Sequence, residues 1–428
     1  MTRHVDTVVI GAGQAGLTMS WYLRQAGRDH LVVDRRSQLG GGWQDRWTSF
    51  RLVSPNRTAS FPGAPYDGPD PDGFMPRDEI VARVARYAET IHAPVELETA
   101  VERVVARDDG LRLETTGGAI DVGQVIVAAG AFHAPRIPPL AETLPTRILQ
   151  LHSHAYRDEA SLPAGAILVV GSAQSGVQIA EELHEGGRRV YLSVGHAGRF
   201  PRRYRGSDGF RWLHECAVFG DRYGTPLPAV TSLADPRLRL AGNPHVSGHH
   251  GGHDTNLRRF AADGMTLIGR IESVDGERLR LAPDLAANLA FADRFFDERF
   301  RTLVDTYIER AGLDAPPDDR QSFDFAPPEP TELDLAAAGI STVLWATGYA
   351  TDHGWIDLPI FDPMGFPRQV DGITEVPGLA FLGSLWQRTQ ASATLFGVGL
   401  DAQRLAVRLG LPTPSDDATP SGSGPRSG

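Results

Sequence analysis

The chain has 428 residues, 41% of them hydrophobic and 22% charged, and a net charge of −11. That length suits two or three domains of ordinary globular composition, and the acidic balance argues against general binding to nucleic acid or an anionic membrane. No apolar run approaches the roughly 18 residues of a membrane span, and the N-terminus enters a strand pattern at once, so the expected setting is cytoplasmic, without a signal peptide.

Residues 4–34 read HVDTVVIGAGQAGLTMSWYLRQAGRDHLVVD. Val5 to Ile10 is a short apolar run suited to a buried parallel strand, Leu17 to Ala26 has helical spacing, and Leu31 to Val33 is a second buried strand ending on Asp34. Between strand and helix lies Gly11-Ala12-Gly13-Gln14-Ala15-Gly16. In such a βαβ unit Gly11 permits the tight turn, Gly13 admits a pyrophosphate, and Gly16 lets helix pack on strand. Asp34 is placed for an adenosine ribose hydroxyl. The unit predicts a bound dinucleotide without saying whether it is NAD or FAD.

Next come Gly40-Gly41-Gly42-Trp43, a turn that delivers an aromatic ring, and an irregular stretch from Phe50 to Asp72. Arg77 to Ile91 has helical spacing with Asp78 and Glu79 in the first turn. Val95 to Val105, Leu111 to Thr115 and Ala119 to Asp121 alternate like a small antiparallel sheet, and Val125 to Ala129 is a buried strand ending at Gly130. After a proline-punctuated connection over 131–165, the pattern restarts. Ala166 to Val170 is a strand, 171–176 a GSAQSG turn, Val177 to Glu185 a helix and Arg189 to Val194 a strand. Residues 195–252 read as an irregular segment, 257–262 as a helix capped by Asp254 or Thr255, and 266–281 as a hairpin. Leu285 to Arg310 is expected to be one helix with an aromatic core stripe. Thr342 to Ala346 and Leu379 to Leu382 are further strands, and Leu395 to Leu409 is a terminal helix.

Two absences limit the chemistry. Cys216 is the single cysteine, so a dithiol redox pair is excluded. The 42 basic residues are all arginine, so no lysine can form a Schiff base, and phosphates are left to guanidinium groups, amides and hydroxyls.

Several motifs together carry a resemblance. They are GAGQAG with Asp34, GGGW at 40–43, VIVAAG at 125–130, HSHAYR at 152–157, GSAQSG at 171–176, VLWATGY at 343–349 and GVGLDAQRLA at 397–406. In this order and spacing the chain resembles the class B flavoprotein monooxygenases, the group of flavin-containing monooxygenases, plant auxin-synthesis flavin monooxygenases and bacterial relatives. The resemblance implies an α/β fold with two Rossmann-like dinucleotide-binding domains, FAD in the first and NADPH in the second, which is inserted. The expected division is 1–160 with 331–410 for FAD, 161–330 for NADPH, and a disordered tail over 411–428.

The site expected for FAD takes in Gly11, Gly13, Gln14, Gly16, Asp34, Arg35, Gly41, Trp43, Gln44, Val101, Gly130, Thr347, Gly348 and Asp401. For NADPH it takes in Gly171, Gln174, Ser175, Gly176, Ser193, Arg199 and Arg202. The second unit has Ser193 where an acid would repel a 2′-phosphate, and arginines follow it. Its middle glycine is replaced by Ala173, whose methyl group stands where a pyrophosphate approaches. Two residues are catalytic candidates by resemblance: Asn56 as a partner of the flavin–oxygen adduct and His152 at the hinge between units. A turn asparagine and a satisfied structural histidine are the plainer readings. His245, His249, His250 and His253 match no zinc spacing, and no metal is expected.

The implied activity is NADPH-dependent reduction of FAD, formation of a C4a-(hydro)peroxyflavin with O2, and oxygenation of a small organic substrate at nitrogen, sulfur or a carbonyl carbon. The alternatives are a flavin-dependent NAD(P)H:acceptor oxidoreductase or oxidase, and a nucleotide-binding redox sensor without enzymatic activity. Oligomeric state is left open, a homodimer among the forms considered.

Overall fold

The structure, a computed structural model, describes residues 3–413. Two parallel sheets organise it. In the first, the central strand Arg3–Ile10 pairs in parallel with His30–Val33 on one side and Gly118–Val127 on the other. Val95–Glu96 extends one edge and Leu379–Phe381 the other, also in parallel. An antiparallel hairpin, Val101–Arg107 with Gly110–Thr115, joins onto Gly118–Val127. Two short antiparallel strands complete the nine-stranded sheet. Val8, Val9, Val32, Val33 and Ile126 have no exposed surface, as expected of parallel strands covered on both faces.

The second sheet has five parallel strands in the order Thr266–Ile268, Val190–Ser193, Ala166–Val170, Ile340–Trp345 and Leu149–His152. Two of these strands lie outside the stretch 161–330. Leu149–His152 sits inside the proline-punctuated connection, and Ile340–Trp345 arrives from beyond residue 330 to pair between two neighbours. The chain thus crosses between the sheets just after Gly118–Val127 and just after Ile340–Trp345. The two crossings pair with each other, through Pro135 with Tyr349 and through the Arg136 amide, which donates to the Gly348 carbonyl at 3.0 Å.

Other elements depart from the sequence expectations for physical reasons. Gly209–Tyr223 is a helix of 15 residues within the stretch read as irregular. Its buried residues Trp212, Cys216 and Gly220 are four apart, but histidine, glutamate and glycine dilute the apolar stripe. The expected helix over 285–310 is interrupted by a π turn over Phe296–Arg301, between Leu285–Phe295 and Thr302–Ala311. Thr266–Ile268 joins the second sheet, and the hairpin is Ile271–Asp275 with Arg278–Leu281. The helix Leu257–Ala262 is capped by Asn256, whose side chain accepts from the Arg258 amide, while Asp254 accepts from the Arg202 amide. Leu411 is buried against the first unit's core, so the tail expected over 411–428 does not begin there. From residue 414 on it lies outside the described residues.

Candidate functional site

The first fingerprint is built by backbone contact. The ladder of Arg3–Ile10 ends at Gly11, whose φ of +110° favours glycine and whose side, if it carried a Cβ, would meet the Ala128 carbonyl oxygen at 2.5 Å. A Cβ on Gly16 would fall 1.8 Å from the Gly11 oxygen, so helix Gln14–Gln25 can approach the strand only without one. Gly13 differs: a Cβ there would meet nothing nearer than the Gly41 Cα at 3.7 Å. No side chain caps this helix, and its first amides are left toward the space in front of Gly13, the arrangement that receives a pyrophosphate. The Asp34 carboxylate accepts from the Ala12 amide at 2.7 Å and from the Arg36 amide at 2.9 Å. It ties the end of the second strand to the fingerprint while lining the same cavity.

Gln14 bridges two walls, accepting from the Trp43 indole at 3.1 Å and donating to the Ala393 carbonyl at 3.2 Å. Next to Trp43, the Arg46 guanidinium lies 6.0 Å from its ring, 5.8 Å from Phe50 and 5.4 Å from Phe132. Its Nε is buried without a hydrogen-bond partner. A cation placed among aromatic faces gains from their quadrupoles. Arg46, Phe132 and Tyr349 were not anticipated from the sequence. The signals for them were an arginine three residues after Trp43 and an aromatic just past each crossing glycine.

The second fingerprint repeats the first. Gly171 has φ +109°, with a Cβ position 2.5 Å from the Ala346 oxygen, and a Cβ on Gly176 would fall 1.9 Å from the Gly171 oxygen. Here the middle position is occupied. Gly242 approaches Ala173 so closely that a Cβ on Gly242 would meet the Ala173 methyl at 2.4 Å. Gln174 donates to the Val246 carbonyl at 2.8 Å and accepts from its amide at 3.1 Å. A strap from Arg239 to Val246 therefore lies across this fingerprint. It is held further along by Ser247, which donates to Glu181, and by His253, whose Nε2 lies 2.6 Å from Glu181.

Of the expected residues, Gly11, Gly13, Gln14, Asp34, Arg35, Gly41, Trp43, Val101, Gly130, Gly171, Gln174, Ser175, Thr347 and Gly348 line one cavity of about 930 Å³. Gly16 and Gly176 serve it from behind, through packing. The others are placed elsewhere. Ser193 is buried and donates to the Gly269 carbonyl at 3.0 Å, because the neighbouring parallel strand leaves a carbonyl opposite it. Arg199 is paired with Asp293 at 2.7 Å. Arg202 is 2% exposed, stacks 4.6 Å from Phe74 and donates to the Val53 carbonyl; burial lowers its pKa. In place of these three, the groups from this side that reach the cavity include Arg239, the exposed Arg299 and His196, stacked 3.6 Å from Phe291.

Gln44 donates to the Gln38 and Leu39 carbonyls and holds its own turn. Asp401 is buried against Arg388 at 3.0 Å, and its pKa is raised by that burial. Asn56 donates to the Asp70 carbonyl at 2.8 Å and accepts from the Met75 amide at 2.6 Å. Its carboxamide is spent on closing the loop, as a turn asparagine.

His152 lies at the crossing. Its Nδ1 accepts from the His154 amide at 3.1 Å, which leaves Nε2–H to donate to the Gly348 carbonyl at 2.9 Å. Burial lowers its pKa to about 4, so it is neutral at physiological pH. The side chain does not line the cavity; it fixes the carbonyl of Gly348, which does. Of the four histidines of 245–253, His245 is fully buried, while the ring of His250 lies 6.1 Å from those of His249 and His253; His250 faces Glu185 and His253 faces Glu181.

Known proteins place this arrangement. The family model described as pyridine nucleotide-disulphide oxidoreductase matches residues 8–208. An uncharacterized CzcO-like oxidoreductase of Geobacillus kaustophilus is 31% identical over 95% of this chain and 98% of its own length. The flavin-containing monooxygenase FMO GS-OX-like 2 of Arabidopsis thaliana is 28% identical over 50% of this chain and 54% of its own. Among solved structures, a flavin-containing monooxygenase from Stenotrophomonas maltophilia superposes with a TM-score of 0.65 at 22% identity, covering 95% of this chain and 98% of that one.

Proposed function

We propose, for a chain that belongs to the class B flavoprotein monooxygenase family beside the CzcO-like oxidoreductases, that it uses NADPH and O2 to oxygenate a small organic molecule. The chain is an oxidoreductase whose cofactors are FAD and NADPH. One observation carries the finer reading: both fingerprints, from Gly11 to Gln14 and from Gly171 to Ser175, open into one cavity. Two dinucleotides bound at the two fingerprints would share that cavity.

The residues present fit FAD. The open cradle at Gly13, the uncapped helix amides and Asp34 suit its pyrophosphate and adenosine ribose. Trp43 offers a flat apolar wall. For NADPH the backbone of Gly171 to Ser175 is available, with His196 just after the second strand and Arg299 on the π turn lining the same cavity. In this reading the first sheet carries FAD and the second carries NADPH. When bound and reduced, FAD supplies the oxygen-activating chemistry. The protein contributes orientation, exclusion of water and fixed charge. Gln14 holds Trp43 against the fingerprint, Arg46 supplies a positive charge within aromatic walls, and His152 keeps the crossing at Gly348 in one conformation.

The test is stopped-flow. FAD-loaded protein is reduced anaerobically with NADPH and mixed with O2. A transient absorbance band that precedes recovery of oxidised flavin, followed by an oxygenated product, supports the proposal. Direct recovery without such a band, with all NADPH electrons in hydrogen peroxide, identifies an oxidase instead.

A further inference from the structure

Away from the two fingerprints the cavity extends into a chamber between three helical segments. Phe200, Phe210, Leu213, Phe300, Leu303 and Phe396 line it. Phe210 and Leu213 come from helix Gly209–Tyr223, Phe300 and Leu303 from the π turn and the helix after it, and Phe396 from the first turn of the C-terminal helix Leu395–Arg408. Phe210 and Phe396 meet edge to face, with centroids 6.5 Å apart.

Phe210, Leu213, Leu303 and Phe396 each rest on a fully packed cluster that includes Trp212, Val304 and Tyr307. Yet they remain half-exposed, and the cavity is what they border. Apolar surface left open inside a cavity gives up burial free energy that an apolar occupant would recover.

The charges nearby select further. The carboxylates among the cavity-lining residues are Asp34 and Asp352. Asp34 is committed to two backbone amides, and Asp352 stands 3.9 Å from His133. The polar groups behind the chamber face elsewhere: Asp305 accepts from Tyr204 and Arg205, and Glu215 accepts from Tyr307. His214, beside Phe396, has its pKa lowered by burial and stays neutral. Arg299, next to Phe300 in the chain, lines the cavity and is exposed. A substrate ammonium group entering here would lose its water without gaining a carboxylate.

We propose that this chamber is the substrate subsite and that it takes neutral molecules with an aromatic or branched apolar body, in preference to amines that are cationic at neutral pH. This rests on the monooxygenase reading and narrows its substrate class.

Binding and turnover are tested separately, with FAD-loaded protein. The neutral fluorophore N-phenyl-1-naphthylamine is titrated and then displaced with thioanisole, trimethylamine or (phenylthio)acetate. Thioanisole should displace it at concentrations at least about tenfold below those needed for the two charged compounds, the order of cost of burying an unpaired charge. Leu213→Glu should weaken both fluorophore and thioanisole by about tenfold or more. Leu213→Ala, which introduces no charge, should keep the preference for neutral ligands; retained FAD content in both variants reports folding. Displacement by trimethylamine or (phenylthio)acetate at concentrations equal to thioanisole would overturn the proposal, as would a Leu213→Glu variant that binds the fluorophore normally. If displacement follows the expected order but no substrate yields an oxygenated product, the monooxygenase reading fails and the subsite stands.

Discussion

The two fingerprints share their backbone and differ in what faces the ligand. Gly11 and Gly171 have φ values of +110° and +109°, and each has its Cβ position 2.5 Å from the carbonyl oxygen of an alanine at the end of a parallel strand. Gly130 and Gly348, which follow those strands, have φ values of +80° and +81°. The divergence begins at the middle position, open at Gly13 and covered by a strap at Ala173. It continues at the second strand, where Asp34 turns its carboxylate to the fingerprint and Ser193 turns its hydroxyl away to Gly269. Turn geometry is fixed by steric exclusion and repeats; ligand-facing chemistry is free to vary, and here it does.

The harshest way to break the comparison is at the shared part. Alanine normally stabilises a helix relative to glycine by up to about 1 kcal/mol. At Gly16 and Gly176 the added methyl would meet a backbone oxygen at under 2 Å, so Gly16→Ala and Gly176→Ala should each cost about 3 kcal/mol. The consequences should separate. Gly16→Ala loses FAD on desalting, whereas Gly176→Ala keeps FAD, measured by its absorbance, and loses anaerobic reduction by NADPH. Release of FAD by Gly176→Ala would show that the two units do not fold independently.

Protonation separates the two regions next. His152 at the crossing has a folded-state pKa of about 4 against an ordinary 6.5. Between those values the unfolded chain binds the proton and the folded chain does not. Its contribution is therefore present above pH 6.5 and lost as pH falls toward 4, by about 3 kcal/mol in total. His253, which holds the strap from beyond its end, is shifted the other way by its hydrogen bond to Glu181. That contribution is present below pH 6.5 and lost as pH rises through the raised folded value. Melting temperatures should show His152→Asn reducing the loss between pH 7 and 4.5. Glu181→Gln should reduce the loss on the alkaline side. An unchanged acid limb in His152→Asn would mean another buried histidine, such as His245, dominates it.

The second strands can be set against each other with Asp34→Asn and Ser193→Ala. The first turns one of the two acceptors that face the Ala12 and Arg36 amides into a donor and should raise the FAD dissociation constant by about 10- to 100-fold. The second removes a buried bond to Gly269 that no ligand shares. It should lower the melting temperature while leaving KM for NADPH within about twofold, as other non-contacting changes do. A large rise in that KM would return Ser193 to the coenzyme site.

Both fingerprints and the strands that flank them were legible in the sequence because backbone sterics leave few residue choices there. The directions of individual side chains were not. Arg202 follows a strand that precedes a coenzyme-type loop, yet packing against Phe74 and Phe210 buries it. Gln174 has the same place in its motif as Gln14, but its amide is taken by Val246 from 72 residues away. The apolar chamber depends on three helical segments meeting, one of them interrupted by a π turn, and local periodicity does not report such meetings.

The smallest expected effect bears most directly on the divergence. Ala173→Gly removes the methyl group that faces Gly242 and recreates the cradle found at Gly13. The position is a helix N-cap, where glycine is tolerated, so the entropic cost of the change is small. KM for NADPH should fall by about two- to fivefold, the free energy of a few relieved van der Waals contacts. Gly242→Ala, which sets methyl against methyl at 2.4 Å, should move the strap and change the same constant. If Ala173→Gly leaves KM and the rate of flavin reduction unchanged, the strap and not the methyl group limits access. Gln174→Ala, which unties the strap from Val246, would then produce the change that Ala173→Gly did not.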